Sequence, residues 1–195
     1  MNKISLRTKY LGRNLFEYEK IDSTQKETWR RVENGNIQNG SLILTRSQSD
    51  GIGTHGRTWY TSRENITFSF VLFPNCKIEK LENFTYEIAE LIVKIFKDLY
   101  KLNLEIKIPN DLIINGKKVG GILTETKLQN GLIKSLVIGI GINTNNLDFP
   151  EELKQKATSI KKEFNIQIDN FKFIIAFCNE FEDYFEQKSG ILVKN

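Results

Sequence analysis

The chain has 195 residues, 39% hydrophobic and 27% charged, which supplies enough apolar side chain for one packed core and excludes a disordered chain. Its 28 Lys and Arg outnumber 24 Asp and Glu, for a net charge of +4. The charges are interspersed and no basic run alternates with aromatics, which argues against a nucleic-acid surface and leaves a mild pull on small anions.

Cys76 and Cys178 lie far apart and have no metal-ligand spacing, so two free thiols in a reducing compartment are expected. The start, MNKISLRTKY, has no apolar h-region, and no apolar run approaches the roughly 18 residues of a membrane span. The chain therefore reads as a cytoplasmic protein without a membrane association. It contains no repeat and no Pro/Gly/Ser linker, and residues 1–195 are expected to form a single domain.

Asp22-Ser23-Thr24 reads as a helix start, with a Thr24–Glu27 capping box and Gly35 as the stop. Ser41 to Ser47 is a predicted strand, followed by a glycine-rich loop from Gly51 to Arg57. Ile66 to Phe73 (ITFSFVLF) reads as apolar on both alternating faces, hence a central, buried strand. Ile88, Leu91, Ile92, Ile95, Phe96 and Leu99 recur at helical spacing and mark one apolar helix face. Short strands follow at Leu104 to Ile108 and Leu112 to Ile114, and Asn115-Gly116 signals a two-residue hairpin turn. Return strands run from Lys118 to Thr124 and from Ile133 to Ile142. Phe171, Ile174, Ile175, Cys178, Phe181 and Phe185 define a second amphipathic helix, which Gly190 would end. Strands clustered in mid-chain and joined by short turns predict an α+β fold, a mixed and largely antiparallel sheet with helices on one face.

Four segments interrupt these apolar elements with polar residues or glycine, and each is a candidate site. Ser23-Thr24-Gln25 places hydroxyls at a helix N-terminus, where they serve as caps or hold a polar ligand. Gln48 through Arg57 (QSDGIGTHGR) carries three glycines that let backbone N–H groups approach an anion, with Arg57 able to fork onto phosphate. Its spacing is neither the dinucleotide fingerprint nor a P-loop. Lys107 to Asp111 (KIPND) presents an amide and a carboxylate able to hold Mg2+ through oxygen, and the hairpin returns Lys118 beside them. A surface hairpin with solvated lysines is the alternative for that segment. Gly139-Ile140-Gly141-Ile142-Asn143 places glycines inside a buried strand, a mark of close approach by a ligand or by another backbone. The single histidine, His55, sits in the glycine loop, and the sequence offers no Ser–His–Asp logic and no zinc spacing.

Taken in order, these segments resemble the catalytic domain of biotin–protein ligases. That family's pattern runs Ser-Thr-Asn, Gln-x-x-Gly-x-Gly-x-x-Gly-Arg-x-Trp, Lys-Trp-Pro-Asn-Asp, Lys-hydrophobic-Gly/Ala-Gly-Ile-Leu and Gly-x-Gly-Ile-Asn. This chain offers Ser23-Thr24-Gln25, Gln48 with Gly51, Gly53, Gly56, Arg57 and Trp59, then KIPND, KVGGIL and GIGIN. FPEEL (Phe149 to Leu153) and ATSI (Ala157 to Ile160) extend the likeness, which covers about Asp22 to Ile160.

The resemblance implies the biotin–lipoate ligase fold, related to class II aminoacyl-tRNA synthetases, and a two-step reaction with biotin, ATP and Mg2+. It also implies a partner, the biotin carboxyl carrier protein of acetyl-CoA carboxylase or of another biotin-dependent carboxylase, and leaves a homodimer open. By the same implication Ser23, Thr24 and Gln48 hydrogen-bond the ureido ring of biotin. The loop carrying Gly51, Ile52, Gly53, Thr54, Arg57 and Trp59 folds over ligand, with Arg57 near phosphate and Trp59 near adenine. Asn110 and Asp111 serve the nucleotide and Mg2+, with Asp111 as the metal ligand. Lys118 contacts the biotin carboxylate and the α-phosphate, Gly120 and Gly121 let backbone meet biotin, and Asn143 lies by the adenine.

The chain departs from the family pattern at Gln25 (usually Asn), at Ile108 (usually Trp), and at Ile52 and Thr54, where many members carry arginine. Neither an N-terminal DNA-binding domain nor a C-terminal β-barrel is expected in these 195 residues, which disfavours a repressor. A lipoate–protein ligase shares the fold and the two-step logic, but the ordered KIPND and GIGIN pair favours biotin. A non-catalytic sensor is disfavoured by the presence of Lys118 and Asp111.

Overall fold

The computed structural model describes residues 5–189. Seven strands form one sheet: β1 (Leu15–Tyr18), β2 (Leu42–Thr45), β3 (Ile66–Leu72), β4 (Glu105–Lys107), β5 (Asp111–Ile114), β6 (Lys117–Gln129) and β7 (Leu132–Ile142). Their spatial order is β1-β2-β3-β7-β6-β5-β4. β1 and β2 pair parallel and every other neighbouring pair is antiparallel, so the sheet is mixed and mostly antiparallel as the sequence predicts. The helices are α1 (Thr24–Glu33), α2 (Phe84–Tyr100), α3 (Ile160–Phe164) and α4 (Asn170–Ser189).

Strand side chains alternate between faces. On one face β3 presents Ile66, Phe68, Phe70 and Leu72, and β7 presents Leu136, Ile138, Ile140 and Ile142, all buried. Here α4 lays down its phenylalanines. Phe68 and Phe70 meet Phe177 edge-on with centroids 5.6 Å and 5.9 Å apart, and Phe70 meets Phe181 at 5.0 Å. Phe84 of α2 closes the same cluster against Phe181 at 6.0 Å. Each buried phenylalanine contributes roughly 1.5–3 kcal/mol by transfer alone, so this layer holds the fold together.

The other face of the same strands differs. β3 turns Thr67 and Ser69 to it and β7 turns Gly139 and Gly141. The expectation that Ile66 to Phe73 is apolar on both sides is therefore corrected: β3 is buried throughout, but its second side carries the polar Thr67 and Ser69 beside Val71. α1 crosses this second face and buries Thr24, Gln25 and Thr28 rather than an apolar stripe. The two long helices thus share one face, as predicted, and α1 covers part of the other.

Two local readings change. Ser23, not Thr24, caps α1: its Oγ accepts from the Lys26 N–H at 3.4 Å. Thr24 is already helical, so no Thr24–Glu27 box forms, and Glu27 pairs with Arg30 and Arg31 at 2.9 Å and 2.8 Å. β1 and α3 went unread because a half-exposed four-residue edge strand and a five-residue helix carry too little periodicity.

The remaining turn chemistry matches. Asn115 and Gly116 both take positive φ (50° and 74°), as a type I′ hairpin requires, and Gly35 ends α1 at φ 63°. Gly190, the expected stop of α4, lies outside the described residues. The N-terminal arm is anchored by the buried Glu182 of α4, whose Oε2 accepts from the Tyr10 and Leu11 N–H groups at 3.1 Å and 2.9 Å. Cys76 and Cys178 are free and buried, and burial pushes the Cys178 thiol up to about 12. Among the described residues, no helix is long and apolar enough to cross a membrane.

Candidate active site

A cleft with about 440 Å³ of empty space, partly open to solvent, lies on the polar face of the sheet. Glycines make its floor. A Cβ on Gly139 would stand 2.6 Å from Gln25 Oε1, and one on Gly141 only 2.3 Å from the Trp59 indole. A Cβ on Gly121 would come within 3.2 Å of Lys118 Nζ. The central strands therefore leave room for other groups where ordinary strand residues would fill the space. Gly120 and Gly51 are expected site residues that do not line the cleft. Gly120 faces the core side, where a Cβ would meet Leu112 Cδ1 at 2.9 Å, so its missing side chain serves packing rather than the cleft.

One end of the cleft is a partly buried hydrogen-bond chain. Gln25 Nε2 donates to Glu125 Oε2 (2.9 Å), and Trp29 Nε1 donates to the same oxygen (2.7 Å). Ser69 Oγ donates to Gln25 Oε1 (3.0 Å) and lies 2.9 Å from Thr24 Oγ1. Gln48 Oε1 accepts from the Thr24 N–H at 2.8 Å and stands 3.3 Å from Thr24 Oγ1, while its Nε2 donates to Thr61. Thr67 Oγ1 lines the same wall, buried and without a partner. At the rim, Arg30 forks onto Asp22 at 2.8 Å and 2.7 Å and, as the main cause, holds that carboxyl at about 2.

The glycine loop folds over the cleft. It is tied as a small hairpin by Gly53 N–H to Arg57 C=O (2.7 Å) and Trp59 N–H to Gly51 C=O (2.8 Å). Gly51 is fitted inside it, since a Cβ there would meet the Trp59 carbonyl at 2.4 Å. Ile52, Gly53, Thr54 and Trp59 line the cleft. The Arg57 guanidinium is exposed and bonds the Thr54 carbonyl and hydroxyl at 3.1 Å and 2.8 Å. The Trp59 indole lies on Gly141, with Nε1 buried and unpaired.

The other end is charged. Lys118 Nζ stands 2.5 Å from Asp111 Oδ1 and 5.7 Å from the centroid of the Trp59 ring. The Lys118–Asp111 contact is close, but Asp111 Oδ1 is buried and makes no aligned hydrogen bond. Asn110 is buried and braces β6, donating from Nδ2 to the Ile122 carbonyl at 3.0 Å. Asn143 is also buried, accepting from Asn65 Nδ2 at 3.0 Å. A wider groove of about 1870 Å³ shares Gly53, Thr54, Trp59 and Lys118 with the cleft and carries Arg57, Lys107 and Lys156 against Glu105 and Asp111. The arrangement suits an elongated ligand with a hydrogen-bonding head, a flat body over the glycines, and an anionic tail.

The sequence-predicted residues thus converge. Ser23, Thr24, Gln48, Ile52, Gly53, Thr54, Trp59, Asn110, Lys118 and Gly121 line the cleft, while Arg57, Asp111 and Asn143 line the adjoining groove. Ser69, Thr67, Glu125 and Trp29 were missed. The usable signal was Thr67-x-Ser69, polar at period two within an apolar strand.

The sequence model of the biotin/lipoate A/B protein ligase family matches residues 17–143. The chain belongs to that family. The bifunctional ligase/repressor BirA of Bacillus subtilis is 34% identical over 189 residues, spanning 93% of this chain and 58% of the relative. The biotin–[acetyl-CoA-carboxylase] ligase of Paracoccus denitrificans is 29% identical over 127 residues, spanning 64% of this chain and 52% of the relative. The biotin protein ligase of Aquifex aeolicus, solved in complex with biotin and ATP, superposes with a TM-score of 0.77 at 25% identity, over 91% of this chain and 72% of that one. The chain spans between half and two thirds of the length of these curated relatives.

Proposed function

We propose that this chain activates biotin with ATP and transfers it to a lysine of a biotin carboxyl carrier protein, that of acetyl-CoA carboxylase or of another biotin-dependent carboxylase. The observation that carries the reading is the cleft itself, with a hydrogen-bonding head at Thr24, Gln48 and Ser69 and a cationic end at Lys118, joined by a glycine floor. The similar Aquifex structure holds biotin and ATP. The free buried thiols fit a reaction in a reducing compartment such as the cytoplasm.

In the first step a biotin carboxylate oxygen attacks the α-phosphorus of ATP, and the bond to the pyrophosphate oxygen breaks. Lys118 sits where both anions meet and offsets their repulsion. Arg57, once released from Thr54, and Lys107 face the departing pyrophosphate across the groove. One carboxylate, Asp111, together with phosphate oxygens is a donor set that fits Mg2+, which when bound neutralises phosphate charge. Ser23, Thr24 and Gln48 hold the ureido head, Gly121 and Gly141 admit the ring and chain, and the loop from Gly51 to Trp59 shuts out water. Asn110 keeps β6 in place beneath the reacting groups, and Asn143 borders the nucleotide side. In the second step the carrier lysine, as free amine, attacks the acyl carbon and AMP leaves.

The test is incubation of this chain with biotin, Mg-ATP and a biotin carboxyl carrier domain. Mass spectrometry should show one biotinyl group on the carrier lysine, dependent on both small substrates. An unmodified carrier in the presence of folded protein and saturating substrates would overturn the reading. Lipoate offers a dithiolane with no N–H donor, which leaves the polar head of the cleft unanswered, so labelling with lipoate should be at least tenfold weaker, or about 1.4 kcal/mol.

A further inference from the structure

The hydrogen-bond chain behind the cleft has a direction, and the direction follows from the donor and acceptor chemistry of its members. An indole nitrogen can only donate, so Glu125 Oε2 accepts from Trp29 Nε1 at 2.7 Å. That oxygen also stands 2.9 Å from the Gln25 amide. Were the amide reversed, two acceptors would face each other there, and a third, the Val137 carbonyl at 3.4 Å, would face the same oxygen. Gln25 therefore points its NH2 at Glu125 and its Oε1 at Ser69. The single Ser69 hydroxyl proton is then committed to Gln25 Oε1 at 3.0 Å. Thr24, 2.9 Å from Ser69, must supply the proton of that contact.

The outcome reaches the ligand. With its proton turned to Ser69, Thr24 Oγ1 presents only lone pairs to the cleft. Gln48 is fixed in the same sense, since its Nε2 is held by Thr61 and its Oε1 takes the Thr24 N–H. The one Thr24 proton could also serve Gln48 Oε1 at 3.3 Å, but the shorter Ser69 contact at 2.9 Å takes it, and the two oxygens then stand side by side as acceptors. Gln48 Oε1 already takes the Thr24 N–H at 2.8 Å, and the lone pairs left on the two oxygens suit a donor brought by a ligand in the cleft.

We infer that Glu125 is a positioning residue for substrate choice: through Gln25 and Ser69 it fixes Thr24 as an acceptor, so that Thr24 and Gln48 select a ligand whose head ring carries an N–H donor. Glu125 does not line the cleft and acts through the intervening side chains. The inference rests on the proposed function, since a cyclic urea is the head that supplies such a donor.

The test is titration calorimetry of wild type, Glu125→Gln and Ser69→Ala with three probes: biotin, desthiobiotin, and biotin analogues in which either ring N–H is replaced by oxygen. Glu125→Gln lets the relay run either way, and Ser69→Ala breaks it at its midpoint without adding bulk. Both variants should weaken biotin and desthiobiotin equally, by about tenfold, the size of one misdirected buried hydrogen bond. For at least one oxygen analogue, which already lacks the donor, wild type and variants should bind alike. ATP binding and the thermal midpoint of Ser69→Ala check that the fold is intact. Unchanged urea binding in both variants would overturn the relay, as would equal weakening of every analogue, which marks general damage to the cleft. If wild type itself binds neither biotin nor desthiobiotin, the proposed function fails and takes this inference with it.

Discussion

The two sides of strands β3 and β7 are built from alternate residues of the same two segments, yet they do opposite work. One side carries Phe68, Phe70, Ile138 and Ile140, locked into the phenylalanines of α4. The other carries Thr67, Ser69, Gly139 and Gly141, small or polar, facing a cleft. A period of two thus lets one strand pair supply both the rigidity and the cavity. The core side clamps the backbone so that the cleft side can stay underpacked without collapsing.

If the division is real, substitutions on the two sides should separate stability from activity. Phe177→Ala, on the core side, removes a ring packed against both Phe68 and Phe70. It should cost about 3–5 kcal/mol of unfolding free energy in a urea titration. A loss under about 1 kcal/mol would mean that the core is not where the fold is held.

Lys118→Ala probes the opposite side and should leave the urea midpoint nearly unchanged. Its side chain is about one-third exposed and its ammonium pairs with Asp111. Pyrophosphate release with biotin and ATP should nevertheless fall by about 10²–10³, or roughly 3–4 kcal/mol in the barrier. Near-normal release would remove Lys118 from the chemistry, and a large drop in stability would blur the division itself.

The smallest effect lies at the rim. Arg30 lowers the Asp22 carboxyl from 3.8 to about 2, so its contribution to stability is fully present above the unfolded value of 3.8. It disappears as pH falls through about 2, because the protonated acid no longer pairs with Arg30. Water reaches this pair, so the slope is shallow. Acid titrations of wild type and Asp22→Asn should diverge above pH 4 and converge near pH 2. Parallel curves throughout would show that the pair does nothing for the fold.

What the sequence revealed follows the same division. β2, β3, β7, α2 and α4 were readable because their apolar residues recur at two or 3.6. The five ordered motifs contain many of the residues that line the cleft, and Asn115-Gly116 marks the hairpin that brings Lys118 to Asp111. The back of the head was not readable. Glu125 lies in a polar run of β6 that resembles a solvated strand end, and Trp29 reads as an exposed helix position. Their meeting with Gln25 joins residues about a hundred positions apart, which no local pattern announces. Gly120 was misread for a related reason. Adjacent glycines look alike in sequence, and only the pleat decides that Gly121 faces the cleft and Gly120 faces Leu112.

The seating of the Trp59 indole on Gly141 makes the molecule its own optical gauge. The chain has two tryptophans. Trp29 stands behind the head of the cleft on Glu125, and Trp59 lies across the floor. Every tryptophan photon the protein emits therefore originates at one end or the other of this cavity, while the phenylalanine layer beneath stays dark. A molecule that lifts the indole from its glycine seat reports its own arrival without a label, and a change confined to the opposite face of the sheet passes unseen.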